Sequence, residues 1–159
     1  MAKVFIVCGK ICSGKSTHAE VLKKEHRAVL LSVDEIMLAL FGQDAGKKHD
    51  DYSKRVQEYL YAKSLDILET DRNVILDWGF AANQERDFAR EFYHSKNIPF
   101  EFHYIDIDEE EWRRRIKKRN QDVLAGKVSA YYVVDALITK LDSIFEKPDR
   151  NEIDMWIRG

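Results

Sequence analysis

Gly9-Lys10-Ile11-Cys12-Ser13-Gly14-Lys15-Ser16 is the stretch on which the reading of the fold turns. Its spacing is G-x-x-x-x-G-K-[ST], a loop that wraps a polyphosphate when it joins a strand to a helix. The flanks meet that condition. Val4 to Cys8 is a short apolar run of strand type, and Ser16 to Lys24 carries Ala19 and Leu22 at helical spacing. Two glycines let the backbone bend closely around a ligand where an ordinary side chain would clash. The amides of the loop and of the helix N-terminus then point at anionic oxygens. Gly9, Lys10, Ile11, Cys12, Ser13, Gly14, Lys15, Ser16 and Thr17 are therefore the candidate nucleotide-binding residues. Lys15 is expected to neutralise β/γ oxygens of ATP, and Ser16 to hold Mg²⁺ through its hydroxyl.

Outward from this loop, apolar runs alternate with helical stretches. Ala28 to Val33, Asn73 to Asp77, Phe100 to Asp106 and Ile153 to Ile157 read as further strands. Helices are expected from about Asp34, and over Val56–Glu69, Gln84–Ser95, Glu109–Asn120 and Ala130–Phe145, the last stopped by Pro148. On the Gln84–Ser95 helix, Phe88, Phe92 and Tyr93 are expected to face inward, and polar Gly42 to Ser53 reads as a loop. Such alternation predicts an α/β domain with a mostly parallel sheet covered by helices on both faces. Ligands of such sheets bind at the carboxyl ends of the strands, so the residues just after each strand carry the interest.

Two of those ends are acidic. Asp34 follows the second strand and is a candidate general base for an acceptor hydroxyl attacking the γ-phosphorus. Its plainer alternative is a helix N-cap, with Glu35 as the substitute base. Asp77 ends an apolar strand and is expected to support Mg²⁺, the alternative being a turn-forming aspartate before Gly79. Residues 112–119, Trp-Arg-Arg-Arg-Ile-Lys-Lys-Arg, place Trp112 and Ile116 on one helix face, for docking on the sheet, and Arg115 and Arg119 on another. The arginine pair is expected to face the triphosphate and stabilise the transferring phosphoryl. A solvated face laced by Glu110–Arg114 and Glu111–Arg115 pairs, or a nucleic-acid patch, are the competing readings.

Weaker signals complete the inventory. Arg86 is placed either to reach the cleft or to pair with Asp87 or Glu85. Trp78 and Phe80 fit half-buried packing or stacking on a substrate ring. Lys47-Lys48-His49 reads as a solvated loop with an alternative role at an anionic substrate. The five histidines are scattered without ligand spacing, and surface or core packing is expected for each. Cys8 reads as a small buried hydrophobe. Cys12, inside a loop of anion-favouring amides, is expected to have a favoured thiolate.

Bulk numbers bound the rest. At 159 residues, 45% hydrophobic and 34% charged, the chain suits one globular domain with a sizeable core. A net charge of −2 gives no global drive toward nucleic acid or anionic membrane, so any polyanion site is local. No run of 18 apolar residues occurs and the N-terminus lacks a signal-peptide core, so a cytoplasmic protein, away from membranes and monomeric or weakly dimeric, is expected. Two cysteines fit a reducing compartment.

Gly9 to Thr17, Ser32-Val33-Asp34, Val74 to Asp77, Arg86, Arg115 to Asn120 and Phe145-Glu146-Lys147-Pro148-Asp149 together resemble the zeta-toxin and chloramphenicol-phosphotransferase-like group of P-loop kinases. That group includes many small kinases with an AAA-type ATP-binding label, and the likeness covers nearly the whole chain. It implies a three-layer P-loop NTPase fold of nucleoside-monophosphate-kinase type, with sheet order 2-3-1-4-5. It further implies that Asp34 is the hydroxyl-activating aspartate, that Lys15 and Ser16 meet phosphate and magnesium, and that Arg115 and Arg119 are lid arginines. With the sequence ending at Gly159, the group's C-terminal helix and some adenine-side contacts are expected to be reduced. The function expected is ATP-dependent transfer of the γ-phosphate to a small-molecule hydroxyl. Residues 42–69 would form the acceptor side and 109–145 the lid. A polynucleotide 5′-hydroxyl kinase, disfavoured by the neutral composition, and a non-catalytic nucleotide-binding regulatory module are the alternatives.

Overall fold

A computed structural model describes residues 1–159. Five parallel strands form one sheet: β1 (Val4–Cys8), β2 (Val29–Ser32), β3 (Val74–Gly79), β4 (Phe100–Asp106) and β5 (Met155–Arg158). Their order is β2-β3-β1-β4-β5, the 2-3-1-4-5 arrangement of P-loop kinases. Six helices flank it: α1 (Lys15–His26), α2 (Val33–Phe41), α3 (His49–Glu69), α4 (Asn83–His94), α5 (Glu109–Leu124) and α6 (Asp135–Ile144).

Parallel pairing buries both faces of the central strands, and β1 shows it residue by residue. Val4, Ile6 and Cys8 pack with Val74, Leu76, Phe102 and Tyr104 against Tyr61 of α3 and Ala89 and Tyr93 of α4. Phe5 and Val7 point the other way, with Ile75 and Ile105, onto Ala19 and Leu22 of α1. The strand period of two thus divides one apolar run between two helical layers. Register runs from Val4 beside Val74 and Phe100 to Cys8 beside Gly79 and Tyr104. A shift between Val7 and Cys8 on the β3 side releases the chain into the phosphate loop.

Several boundaries differ from the sequence reading. The α3 helix begins at His49, inside the segment expected to be loop. Asp50 and Asp51 lie in its first turn, where they favour the positive end of the helix dipole. Residues 125–134 are not helical, so α6 starts at Asp135 rather than Ala130. On α4, Tyr93 and Ala89 are buried but Phe88 is 55% exposed, so the inward stripe excludes Phe88. Phe88 instead lies edge-on to Tyr61 at 5.0 Å. No helix is long and apolar enough to cross a membrane.

Candidate active site

The phosphate loop takes backbone conformations that its sequence permits. Gly9 has φ +149° and Gly14 φ +107°. A Cβ on Gly9 would sit 2.9 Å from Ser13 Oγ and 3.0 Å from the Ile105 carbonyl, so the turn closes only around glycine. Around the loop, side chains pin its carbonyls. Trp112 Nε1 donates to the Ile11 carbonyl at 2.7 Å, and Arg115 Nη1 to the Ser13 carbonyl at 3.0 Å. The Lys10 ammonium lies 4.3 Å from the Trp112 ring centroid and 3.2 Å from Asp142 of α6. With the Ile11 and Ser13 carbonyls engaged outward, and the Gly9 and Ser13 amides donating to the Gly79 and Lys10 carbonyls, the loop leaves its other amides for an anion. Ser13 Oγ is enclosed and has no partner, the kind of orphaned group that a phosphate oxygen satisfies.

Three charged side chains converge at the strand ends. Lys15 Nζ donates to the Lys10 carbonyl at 2.9 Å. Burial lowers its pKa, opposed by the carboxylates of Asp77 and then Asp34. Asp77 is buried within β3, beside Ser32 of β2 and Val7 of β1, and accepts from Ser16 Oγ at 3.3 Å. Desolvation raises its pKa, with Lys15 and the Ser16 hydrogen bond pulling the other way. Asp34 lies in the first turn of α2, open to the cleft yet crowded by protein. That desolvation raises its pKa, while Lys15, Arg119 and His49 lower it. Asp34 is not the helix cap: Ser32 is, its Oγ accepting from the Glu35 amide at 3.3 Å. Nor is Asp77 a turn aspartate. The Ser16–Asp77 pair has the hydroxyl and carboxylate chemistry that a Mg²⁺ ion requires, so the residues present fit that ion.

The α5 helix is set by Asp108, whose carboxylate caps the Glu111 amide at 2.9 Å, and by three glutamates in its first turn. Arg113 bonds Glu109, and Arg114 and Arg115 both bond Glu111, whose pKa falls to about 2 chiefly through those hydrogen bonds. The expected Glu110–Arg114 pair does not form, because Arg114 turns to Glu111. Arg115 reaches the loop at the Ser13 carbonyl and half-buried Arg119 lies within electrostatic reach of Cys12, whereas Arg113 and Lys117 are exposed. Trp112 and Ile116 pack under the loop with Cys12 and Val133 rather than on the sheet.

Other sequence candidates land elsewhere. Cys12 is buried in that apolar cluster, and desolvation raises its pKa, so the expected favoured thiolate is overturned. Cys8 is also buried and its thiol is pushed up to about 12. Arg86 neither reaches the cleft nor pairs with Asp87 or Glu85. It is fully buried, donating to the carbonyls of Phe80 (2.9 Å), Ala81 (3.2 Å) and Glu146 (2.8 Å) and to Asn83. Trp78 stacks on Phe80 at 5.0 Å and meets Tyr61 edge-on. His18 and His103 bond at 2.9 Å, and His103, within β4, bonds Glu101 at 3.0 Å.

Sequence reading missed one group near Asp34. Tyr131, in the segment after α5, lies edge-on to His49 with ring centroids 5.7 Å apart. Proximity to Asp34, after burial, raises the Tyr131 pKa. The available signal was the aromatic pair Tyr131-Tyr132 in the non-helical connection after α5.

A search of curated proteins finds no match. Among solved structures, APS kinase CysC of Mycobacterium tuberculosis, in complex with AMPPNP and APS, superposes with TM-score 0.68 at 18% identity, covering 99% of this chain and 88% of that one. A sugar kinase from Janibacter sp. HTCC2649 gives TM-score 0.65 at 16% identity, with 99% and 86% covered. A chain of the Pnkp1/Rnl/Hen1 RNA repair complex gives 0.72 at 23% identity, with 89% of this chain but 43% of that one covered. At these identities the likeness carries the fold. The sequence model of a family described as an AAA domain matches residues 4–140, and with its P-loop, its parallel sheet and its kinase-like topology the chain belongs to that family.

Proposed function

We propose that the protein is an ATP-dependent phosphotransferase that moves the γ-phosphate to a hydroxyl of a small molecule. The observation that carries this reading is the convergence of Lys15, Asp34 and Asp77 at the loop, with Arg119 in the same electrostatic neighbourhood. ATP lies over residues 9–17. Its phosphates are met by loop amides, by Lys15 and by the Ser13 hydroxyl. When bound at Ser16 and Asp77, Mg²⁺ supplies positive charge to the phosphate oxygens. Asp34 orients the acceptor hydroxyl and takes its proton as the oxygen attacks phosphorus. Its raised pKa strengthens it as a base relative to an ordinary carboxylate. Arg115 and Arg119 stabilise charge on the transferring phosphoryl. A guanidinium tethered to the Ser13 carbonyl costs little reorganisation at the moment of reaction.

Within this reading, residues 42–69 shape the acceptor side and 109–145 form the lid, all in one domain. The detailed kinship is with the zeta-toxin and chloramphenicol-phosphotransferase-like kinases. Two unpaired cysteines fit a reducing compartment such as the cytoplasm. The test has two parts. Thermal melts with excess Mg·ATP are expected to raise the melting temperature of wild type and not of Lys15→Ala. Phosphate transfer from labelled ATP is then screened over sugars, nucleosides, antibiotics and oligonucleotide 5′-ends. No thermal response in wild type would remove nucleotide binding. Phosphate release without transfer to any acceptor would leave a nucleotide-binding regulatory module.

A further inference from the structure

Tyr131 is the residue whose surroundings the phosphate-transfer reading leaves unexplained. Its hydroxyl is enclosed by protein and meets no hydrogen-bond partner. A buried phenol without a partner is disfavoured, and phenylalanine would fill the same space without that cost. The backbone on either side is nevertheless tightly held. Gln43, after α2, donates from Nε2 to the Ala130 carbonyl at 2.8 Å and accepts from the Tyr132 amide at 2.8 Å. Asn120 of α5 repeats the arrangement one step on, accepting from the Val133 amide at 2.7 Å and donating to its carbonyl at 2.8 Å. Two side-chain amides thus clamp residues 130, 132 and 133, and the one side chain they present between them has its polar tip free.

The place of that tip is specific. The Tyr131 ring packs on the apolar cluster of Val33, Met37 and Leu60, which belongs to α2 and α3, and lies edge-on to His49. Val133, two residues on, belongs instead to the cluster under the phosphate loop with Cys12. The segment therefore spans the cleft, with Tyr131 on the Asp34 side and not the triphosphate side.

Resting on the phosphotransferase reading, we propose that the Tyr131 hydroxyl donates to a second oxygen of the acceptor, beside the hydroxyl held at Asp34, so that the acceptor is a polyhydroxy compound and not a simple alcohol. The attacking oxygen is the wrong partner for the phenol. An oxygen that accepts a hydrogen bond loses nucleophilicity, whereas a neighbouring oxygen gains only orientation. Gln43 acts as a positioning residue through the Ala130 and Tyr132 backbone.

The experiment uses the full chain, Mg·ATP labelled at the γ-phosphate, and two sets of probes. Glycerol, D-ribose, D-glucose and D-gluconate form the polyhydroxy set, and ethanol, 1-propanol and cyclohexanol the monohydroxy set. Wild type is expected to label at least one polyhydroxy probe and none of the others. Tyr131→Phe is expected to raise the KM for that probe by about fivefold to tenfold, more than it changes kcat, as for loss of one neutral hydrogen bond. Its ligand-free melting temperature is expected to be no lower than wild type, because no protein partner is lost. Gln43→Ala is expected to raise the same KM, and to add little in the Tyr131→Phe background. A lowered melting temperature for Tyr131→Phe would show that the phenol has a structural partner and overturn the assignment. An unchanged KM would overturn it while leaving the phosphotransferase reading intact. Equal labelling of monohydroxy probes would overturn the acceptor class. A wild type that binds Mg·ATP but labels no polyhydroxy probe would overturn this assignment, while the transfer reading would still be decided by the wider acceptor screen.

Discussion

Arg86 on α4 and Arg119 on α5 are alike in sequence terms: each sits on a helix that follows a strand of the sheet. Their surroundings are opposite. Arg86 is fully buried, and its guanidinium is taken up by three carbonyls and Asn83, with Glu152 3.7 Å from Nε. It ties the exit of β3 to the segment after α6. Arg119 is half-buried, and no carboxylate is bonded to it as Glu109 is to Arg113 and Glu111 is to Arg114 and Arg115. It lies instead within electrostatic reach of Asp34, Asp77 and Lys15. A buried charge whose terminal N–H donors are taken up by protein acceptors, with Nε alone unbonded, holds a fold together. A charge held near others with its donors free is available to a ligand. The distinction lies in hydrogen-bond satisfaction and not in residue type or helix position.

The sharpest way to break that comparison is to remove each arginine. Arg86→Ala deletes a buried cation and strands four acceptors, so we expect a loss of about 3–5 kcal/mol, read by denaturant unfolding. A loss below 1 kcal/mol would mean that water replaces the guanidinium and that the region is not a structural staple. Arg119→Ala is expected to change stability little and to cut turnover by about 10²–10³, or about 2.7–4 kcal/mol in the barrier, with Arg115→Ala in the same class. Should Arg119→Ala unfold the protein instead, the division between the two regions fails.

Asp34→Asn sharpens the contrast on the site side. Turnover is expected to fall by about 10²-fold with nucleotide affinity nearly unchanged. Stability should move the opposite way. The folded-state pKa of Asp34 is raised, so its contribution to stability is fully present below the unfolded value and is lost as pH rises through the folded one. Asp34→Asn should therefore melt higher than wild type at neutral pH, and the gain should vanish below the ordinary aspartate value of 3.8. Melting curves across that range decide it. A variant that melts lower at neutral pH would show that the carboxylate is stabilising and not poised for chemistry. The acid limb of the rate profile should likewise lie above the ordinary aspartate range.

The smallest effects belong to the outer face of α5. Arg113→Ala and Lys117→Ala are expected to change stability by about a few tenths of a kcal/mol and turnover hardly at all. If instead all four α5 variants lose oligonucleotide affinity equally, each with a shallower salt slope, the helix is a nucleic-acid face.

The glycine spacing and its apolar flank were enough to read the loop, because glycine at φ near +107° and a strand buried on both faces leave direct marks in residue type. Strand-end logic also brought Asp34 and Asp77 to one place, since parallel strands put their carboxyl ends on one edge of the sheet. Residue type alone did not distinguish Arg86 from Arg119. Nor did it show that Cys12 sits in an apolar pocket, or that Gln43 and Asn120 clamp the segment carrying Tyr131. Each of those depends on contacts between residues more than 10 positions apart, such as Gln43 with Ala130 and Asn120 with Val133. Local sequence specifies the conformation a residue prefers and the face it shares. Whether its polar atoms are satisfied or free is decided only when distant segments meet, and that is what separates the groups that hold this protein together from those left for a ligand.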